Sequence, residues 1–240
     1  MAGKADHTSE YILKTVAPVF NKYGYAATSM SEITKATKLT KGAIYGNFEN
    51  KEQLALAAFN YNVRMVIGMV TEKINAEPTP LKKLRSITSF YRNYYSLTKK
   101  YGGCPLLNVG VDSNHQNPIL LKRVREIMTK LQKSIADIIK EGINQNEFRR
   151  NAKPEVIALR ILSQIEGGVF ITNLLDNEDH MKDVMDQIDR MIDQELIAWF
   201  FLTKNIPIGI IKRNCYENTC NVLYPILFQV AISIVAIEGG

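Results

Sequence analysis

Few side chains in this sequence have both the type and the spacing for catalysis or metal binding. Three cysteines, Cys104, Cys215 and Cys220, are too few for a disulfide framework, and an odd count fits a reducing cytosol. Cys215 and Cys220 lie five apart with no histidine near them, which is poor zinc spacing, and His7, His115 and His180 are scattered. No metal and no cofactor is expected. There is no Walker-type glycine loop, no G-x-S-x-G elbow and no H-E-x-x-H, so no catalytic residue is assigned. A helical enzyme with Cys104 as nucleophile is the alternative reading, and His115 is the histidine nearest to it in sequence.

A different chemistry is written between Thr28 and Lys51. Thr40, Lys41, Ala43, Tyr45 and Asn47 fall on one face of a short helix and offer polar, basic and aromatic groups suited to phosphates and base edges. Gly42 lets a backbone approach closely, and Lys51, at the start of the next helix, suits a phosphate clamp made with the helix amides. Lys and Arg outnumber Asp and Glu by 30 to 24, for a formal charge of +6, which allows a polyanionic partner without requiring one. On patterning alone, a small helical head with a polar face explains these residues as well as a DNA reader does.

The elements that position these residues are helical almost throughout. Ile12, Leu13, Val16, Val19 and Phe20 predict a first helix, with Pro18 inside it as a source of a kink and Gly24 ending it. Ser29-Met30-Ser31-Glu32 is a capping box for a short second helix, ending near Ala36. Thr40 caps a third that runs to Phe48, and Asn50 caps a fourth that runs to about Asn75. Ile33, Ala36, Leu39 and Ile44 are the expected contacts between helices two and three. Four further helices are expected, over Pro80 to Lys100, Pro118 to Ile143, Pro154 to about Asp176, and Asp179 to about Thr203, three of them opening on a proline. The fold class is therefore all-α, a helix-turn-helix head with a larger helical body.

The stretch GYAATSMSEITKATKLTKGAIYGNFENKEQLALAAF resembles the DNA-binding domain of the tetracycline-repressor (TetR) family. The matching features are Phe20, Gly24-Tyr25, Thr28-Ser29, Lys41-Gly42-Ala43-Ile44-Tyr45, Phe48, Lys51 and Glu52, in fixed order. Thr34, Thr37 and Gly46-Asn47 depart from the usual pattern in ways that suggest operator tuning. The resemblance implies that Lys41, Tyr45 and Lys51 contact phosphates while Thr40, Ala43 and their neighbours face bases. Thr28, Ser29, Gly42, Gly46, Asn47 and Phe48 complete the candidate DNA-binding set. Residues 8–54 form the expected DNA-binding domain and 55–204 the effector-binding and dimerisation domain. The partners implied are a palindromic double-stranded operator, a small-molecule effector and a second copy of the chain, giving a regulator, usually a repressor in this family, released by its effector.

The resemblance also implies a dimer interface on the last two helices, residues 154–203. Gly167-Gly168 would permit close approach there. Met181, Val184, Met185, Ile188, Met191, Ile192, Leu196 and Trp199 form a stripe that a monomer core would equally explain. Tyr61, Met65, Phe90, Tyr91, Tyr94, Tyr95 and Phe170 are candidate linings of an effector pocket, each of them also ordinary core material taken singly. The Gly103-Cys104 pair is similar to a subgroup that includes the N-ethylmaleimide-responsive repressors, so Cys104 joins the ligand set; a small buried thiol at a helix start is the stronger reading.

After Lys204 the amphipathic pattern stops. Residues 205–240 read as a membrane anchor, an added packing element or a non-native extension. Against an anchor, Val222 to Ile237 is shorter than the roughly 20 residues a span needs and contains Pro225, Gln229 and Ser233; the extension is preferred because the amphipathic pattern vanishes at one point. No stable membrane association is expected. MAGKADHTSEY has no apolar h-region, so a cytoplasmic location is expected.

Overall fold

Ile12, Val16, Ala17 and Phe20 line one face of α1 (Lys4–Tyr23), and that face is buried against the rest of the head. The computed structural model describes residues 4–197, with side chains from His7 onward. Helix α1 continues through Pro18 to Gly24, whose positive φ of 83° closes it. The capping box expected at Ser29 is formed. Ser29 N–H donates to Glu32 at 2.6 Å and Glu32 N–H to Ser29 Oγ at 3.2 Å, opening α2 (Met30–Thr37). Thr40 caps α3 (Lys41–Tyr45), and Asn50 caps α4 (Lys51–Asn75) by accepting from Gln53 N–H at 2.8 Å.

The body adds α5 (Pro80–Arg92), α6 (Tyr94–Tyr101), α7 (Pro105–Ser113), α8 (Pro118–Asn144), α9 (Pro154–Leu175) and α10 (Glu178–Glu195). The all-α expectation is borne out: among the described residues the only β feature is an isolated bridge between Phe148 and Ile197. Proline occupies the first turn of α5, α7, α8 and α9, where its missing N–H costs no helical bond. Helix α4 is long and apolar enough to cross a membrane by length and composition alone. Here Leu54, Ala55, Ala58, Phe59 and Val63 are buried in a core shared by head and body.

Two expectations about the body need correction. The single helix expected over Pro80 to Lys100 is broken at Asn93 (φ −107°, ψ 10°), whose N–H turns back to Phe90 O at 3.3 Å. That tighter turn offsets α6 from α5. Helix α7 is an additional element, its nine residues too short for a helical period to stand out. Helix α10 ends at Glu195, and Arg149 N–H donates to Leu196 O at 2.8 Å just beyond it. The expected continuation to Thr203, Trp199 and the tail 205–240 lie outside the described residues.

Candidate DNA interface and internal cavity

The short α3 is held from behind so that its other side is free. Ile33 and Ile44 are fully buried between α2 and α3, and Leu39 packs half-buried beside them, whereas Ala36 is exposed and takes no part. The turn between the helices needs no glycine at position 37, because the left-handed residue is Lys38 (φ 57°). Thr37, buried, donates its hydroxyl to Ile33 O at 2.8 Å and accepts from Leu39 N–H at 3.3 Å, stitching the turn. Tyr11 adds a hydroxyl donation to Thr37 O at 2.9 Å.

Of the eleven candidate DNA-binding residues, eight lie where DNA could meet them. Ser29, Thr40, Lys41, Gly42 and Gly46 are exposed, and Ala43, Tyr45 and Lys51 are half-buried. Lys41 Nζ stands 5.7 Å from the Tyr45 ring centroid, so a cation and a phenol share one side of α3. The other three are scaffold. Thr28 is buried and donates its hydroxyl to Gly24 O at 2.7 Å. Asn47 turns inward, donating to Ala43 O and accepting from Ser9 Oγ, both at 2.8 Å, which ties α1 to α3. Phe48 packs half-buried against the core.

Lys51 sits at the first position of α4 with its ammonium 4.5 Å from the Tyr25 ring centroid. Partial burial lowers its pKa, and Asp112 and Glu32 oppose that shift. Asp112 joins head to body. Its carboxylate accepts from Tyr25 N–H at 2.7 Å, and a Cβ on Gly24 would come within 2.9 Å of it. Nearby, Asn21 Nδ2 donates to Tyr101 O and Gly103 O, and Asn108 Nδ2 donates to Asn21 O and Gly102 O, all at 2.8–2.9 Å. Asn62 Nδ2 donates to Ala17 O at 2.9 Å and Asn117 Nδ2 to Glu52 at 3.1 Å. Glycine spacing and polar periodicity carried no signal for Asp112, because its partner lies 87 residues away.

Between α4, α5, α8 and α9 lies an apolar cavity of about 110 Å³, with Val66, Ile67, Ile138 and Leu162 among its walls. Tyr91, Tyr94 and Cys104 line one end. The two tyrosine rings form a cluster with Phe90, at centroid distances of 5.1–5.6 Å, but Phe90 does not line the space. The remaining aromatic expectations are corrected. Tyr61 and Met65 are out of phase with the Val63, Val66, Ile67 and Val70 face of α4 that meets the cavity. Tyr95, one residue from Tyr94, points elsewhere and bonds Asp176. Phe170, 49% exposed on α9, does not line this cavity but borders a separate open groove with Gly103, Cys104 and Leu174.

One group beside the wall was not anticipated. Glu166 is half-buried as a residue with its carboxyl end enclosed, and Cys104 Sγ donates to it at 3.6 Å. Burial pushes the Glu166 carboxyl up to about 7, against which the thiol hydrogen bond acts. Burial also pushes the Cys104 thiol up to about 12, reinforced by Glu166, which favours the thiol over the thiolate.

The apolar faces of α9 and α10 divide differently from expectation. Met181, Val184, Met185, Ile188, Ile192 and Leu196 are all buried in the protomer's own core, and Met191 packs half-buried against it. On α9, Val156, Leu159, Phe170, Leu174 and Leu175 remain exposed, and a Cβ on Gly167 would touch nothing. Gly168 faces inward, against Val184 and Met181.

Comparison with known proteins follows this geometry closely. Residues 12–58 match the profile of bacterial regulatory proteins of the tetR family, and residues 80–188 that of the tetracyclin repressor-like C-terminal domain. A TetR-family transcriptional regulator from Cytophaga hutchinsonii superposes with a TM-score of 0.78 at 35% identity, over 82% of this chain and 99% of that one. The HTH-type transcriptional regulator YxaF of Bacillus subtilis (strain 168) is 26% identical over 180 residues, 75% of this chain and 90% of that protein. The HTH-type transcriptional repressor DhaR of Mycobacterium sp. (strain GP1) is 22% identical over 71% of this chain and 84% of its own length.

Proposed function

The chain belongs to the TetR family of transcriptional regulators, and from that premise we propose that it is a dimeric repressor that holds a palindromic operator through α3 and leaves it when a small molecule fills the cavity. The observation that carries this reading is the course of α7. Pro105 and Leu106, at its start, are cavity wall, and Asp112, near its end, holds the Tyr25 N–H beside Lys51. A ligand that packs differently against Leu106 in two states of the body moves the head through one rigid element, provided its affinity for the two states differs.

Thr40, Lys41, Ala43 and Tyr45 meet the DNA, with Ser29, Gly42, Gly46 and Lys51 at the edges of the contact. The second copy docks on the outer face of α9, where Leu159, Phe170 and Leu174 offer apolar surface that the protomer leaves uncovered. Two-fold pairing sets two heads on two half-sites. Residues up to about 54 act as the reading head and the remainder of the described chain as the effector and pairing body, with α4 belonging to both. A DNA partner goes with a cytoplasmic protein. In this reading the signal is received non-covalently, with Cys104 buried in the cavity wall and its thiol form favoured by that burial.

A gel shift on the promoter beside the gene tests the proposal. A discrete complex that a non-specific competitor DNA fails to displace supports it, and binding indistinguishable from that competitor removes it.

A further inference from the structure

Next to the cavity wall, bonded to its Cys104, sits a carboxyl group with no counter-charge. Among the described residues no ion pair reaches Glu166; its one hydrogen-bond partner is the Cys104 thiol. The cavity itself is apolar, and no Lys, Arg or His lines it. Cys104 is part of the wall and stands 3.6 Å from the carboxyl oxygen, so the acid adjoins the tyrosine end of the space through the thiol.

We propose that the effector is a small apolar molecule carrying one positive charge, an organic amine or ammonium, seated with its charged end at Cys104, directed toward Glu166, and its body against Tyr91 and Tyr94. This rests on the reading of the cavity as the effector site. The chemistry selects for charge in three ways. An enclosed carboxylate is costly alone and becomes favourable once a cation pairs with it in the same low-dielectric space. The Tyr91 and Tyr94 rings, with centroids 5.1 Å apart and planes inclined at 66°, both line this end, and aromatic rings attract a desolvated cation. An anion entering the same end meets a carboxyl group and finds no basic residue on the wall.

Three probes of one shape and different charge decide it: benzylamine, benzyl alcohol and benzoate, titrated by ligand-observed NMR against the full chain at neutral pH. Benzylamine binds about tenfold tighter than benzyl alcohol, the worth of one charge-assisted hydrogen bond, and benzoate binds weakest. In Glu166→Gln the amine-to-alcohol ratio falls to about one, and circular dichroism together with alcohol binding reports that the cavity is intact. Equal amine and alcohol affinity in the parent chain, a preference for benzoate, or a ratio unchanged in Glu166→Gln overturns the cation assignment and leaves the cavity as effector site. If no probe binds in a way that Ile138→Phe, which fills the cavity, can reduce, the cavity reading and this inference fall together.

Discussion

The carboxylate of Asp112 accepts a 2.7 Å hydrogen bond from the backbone N–H of Tyr25, joining the end of α7 to the loop between α1 and α2. Lys51 lies over the Tyr25 ring and feels the Asp112 charge, so one acid steadies both the loop and the lysine at the DNA face. Because α7 starts at the cavity, this contact is the link between cavity and head on which the proposed relay depends.

Asp112→Ala therefore leaves the Tyr25 N–H without its partner. The expected loss is about 1–2 kcal/mol of unfolding free energy in urea. A smaller drop in operator affinity at saturating effector should accompany it, measured by fluorescence anisotropy. A variant that is destabilised yet responds in full would remove α7 as the relay.

Within the head, two kinds of substitution separate. Lys51→Ala combined with Tyr45→Ala weakens binding to all DNA sequences and lowers the slope of log affinity against log salt by about one. Asn47→Ala instead breaks the bonds to Ser9 and Ala43, costing about 1–2 kcal/mol of stability with the salt slope unchanged.

On the body, charge placed at Phe170 or Leu174 should give a folded monomer, because those side chains face outward on α9. The same charge at Ile192, which is 1% exposed, should unfold the chain by several kcal/mol. Light scattering with circular dichroism distinguishes the two, and a Phe170→Glu, Leu174→Glu chain that remains dimeric would exclude the α9 face.

Stability should also depend on pH through Glu166. Its folded value, about 7, is raised above the ordinary 4.5, so the folded chain holds this proton at a higher pH than the unfolded chain does. The stabilisation is complete below about 4.5 and is lost as pH rises through about 7, on the order of 3 kcal/mol in all. Cys104, Tyr91 and Tyr94, the groups facing it, stay protonated over that range, because burial raises all three. Urea unfolding of the ligand-free chain at successive pH values should show that loss relative to Glu166→Gln, and parallel curves would contradict it.

What could be read from the sequence was what neighbours in sequence decide. Ser29, Thr40 and Asn50 cap helices through residues three positions on, so their signals are local and survive folding. Asn47 looked like a base reader because its inward turn depends on Ser9, 38 residues away. The tyrosines defeated periodicity for a similar reason: the break at Asn93 resets the helix phase between Tyr91 and Tyr95, so only Tyr91 and Tyr94 of the body's tyrosines meet the cavity. Glu166 carried no signal in the sequence, since its hydrogen-bond partner, Cys104, lies 62 residues away on another element. The apolar stripes of α9 and α10 look alike in sequence, and only packing tells which faces the protomer's own core.

The claim on which the rest depends is that two copies of α3 read one operator. Hydroxyl-radical footprinting of the promoter fragment with the full chain measures this directly. The account predicts two protected patches related by a two-fold axis, on one face of the duplex and separated by whole helical turns of roughly 34–36 Å, both lost in the Tyr45→Ala, Lys51→Ala chain. A single patch without two-fold symmetry, or protection that the double variant retains, would contradict it.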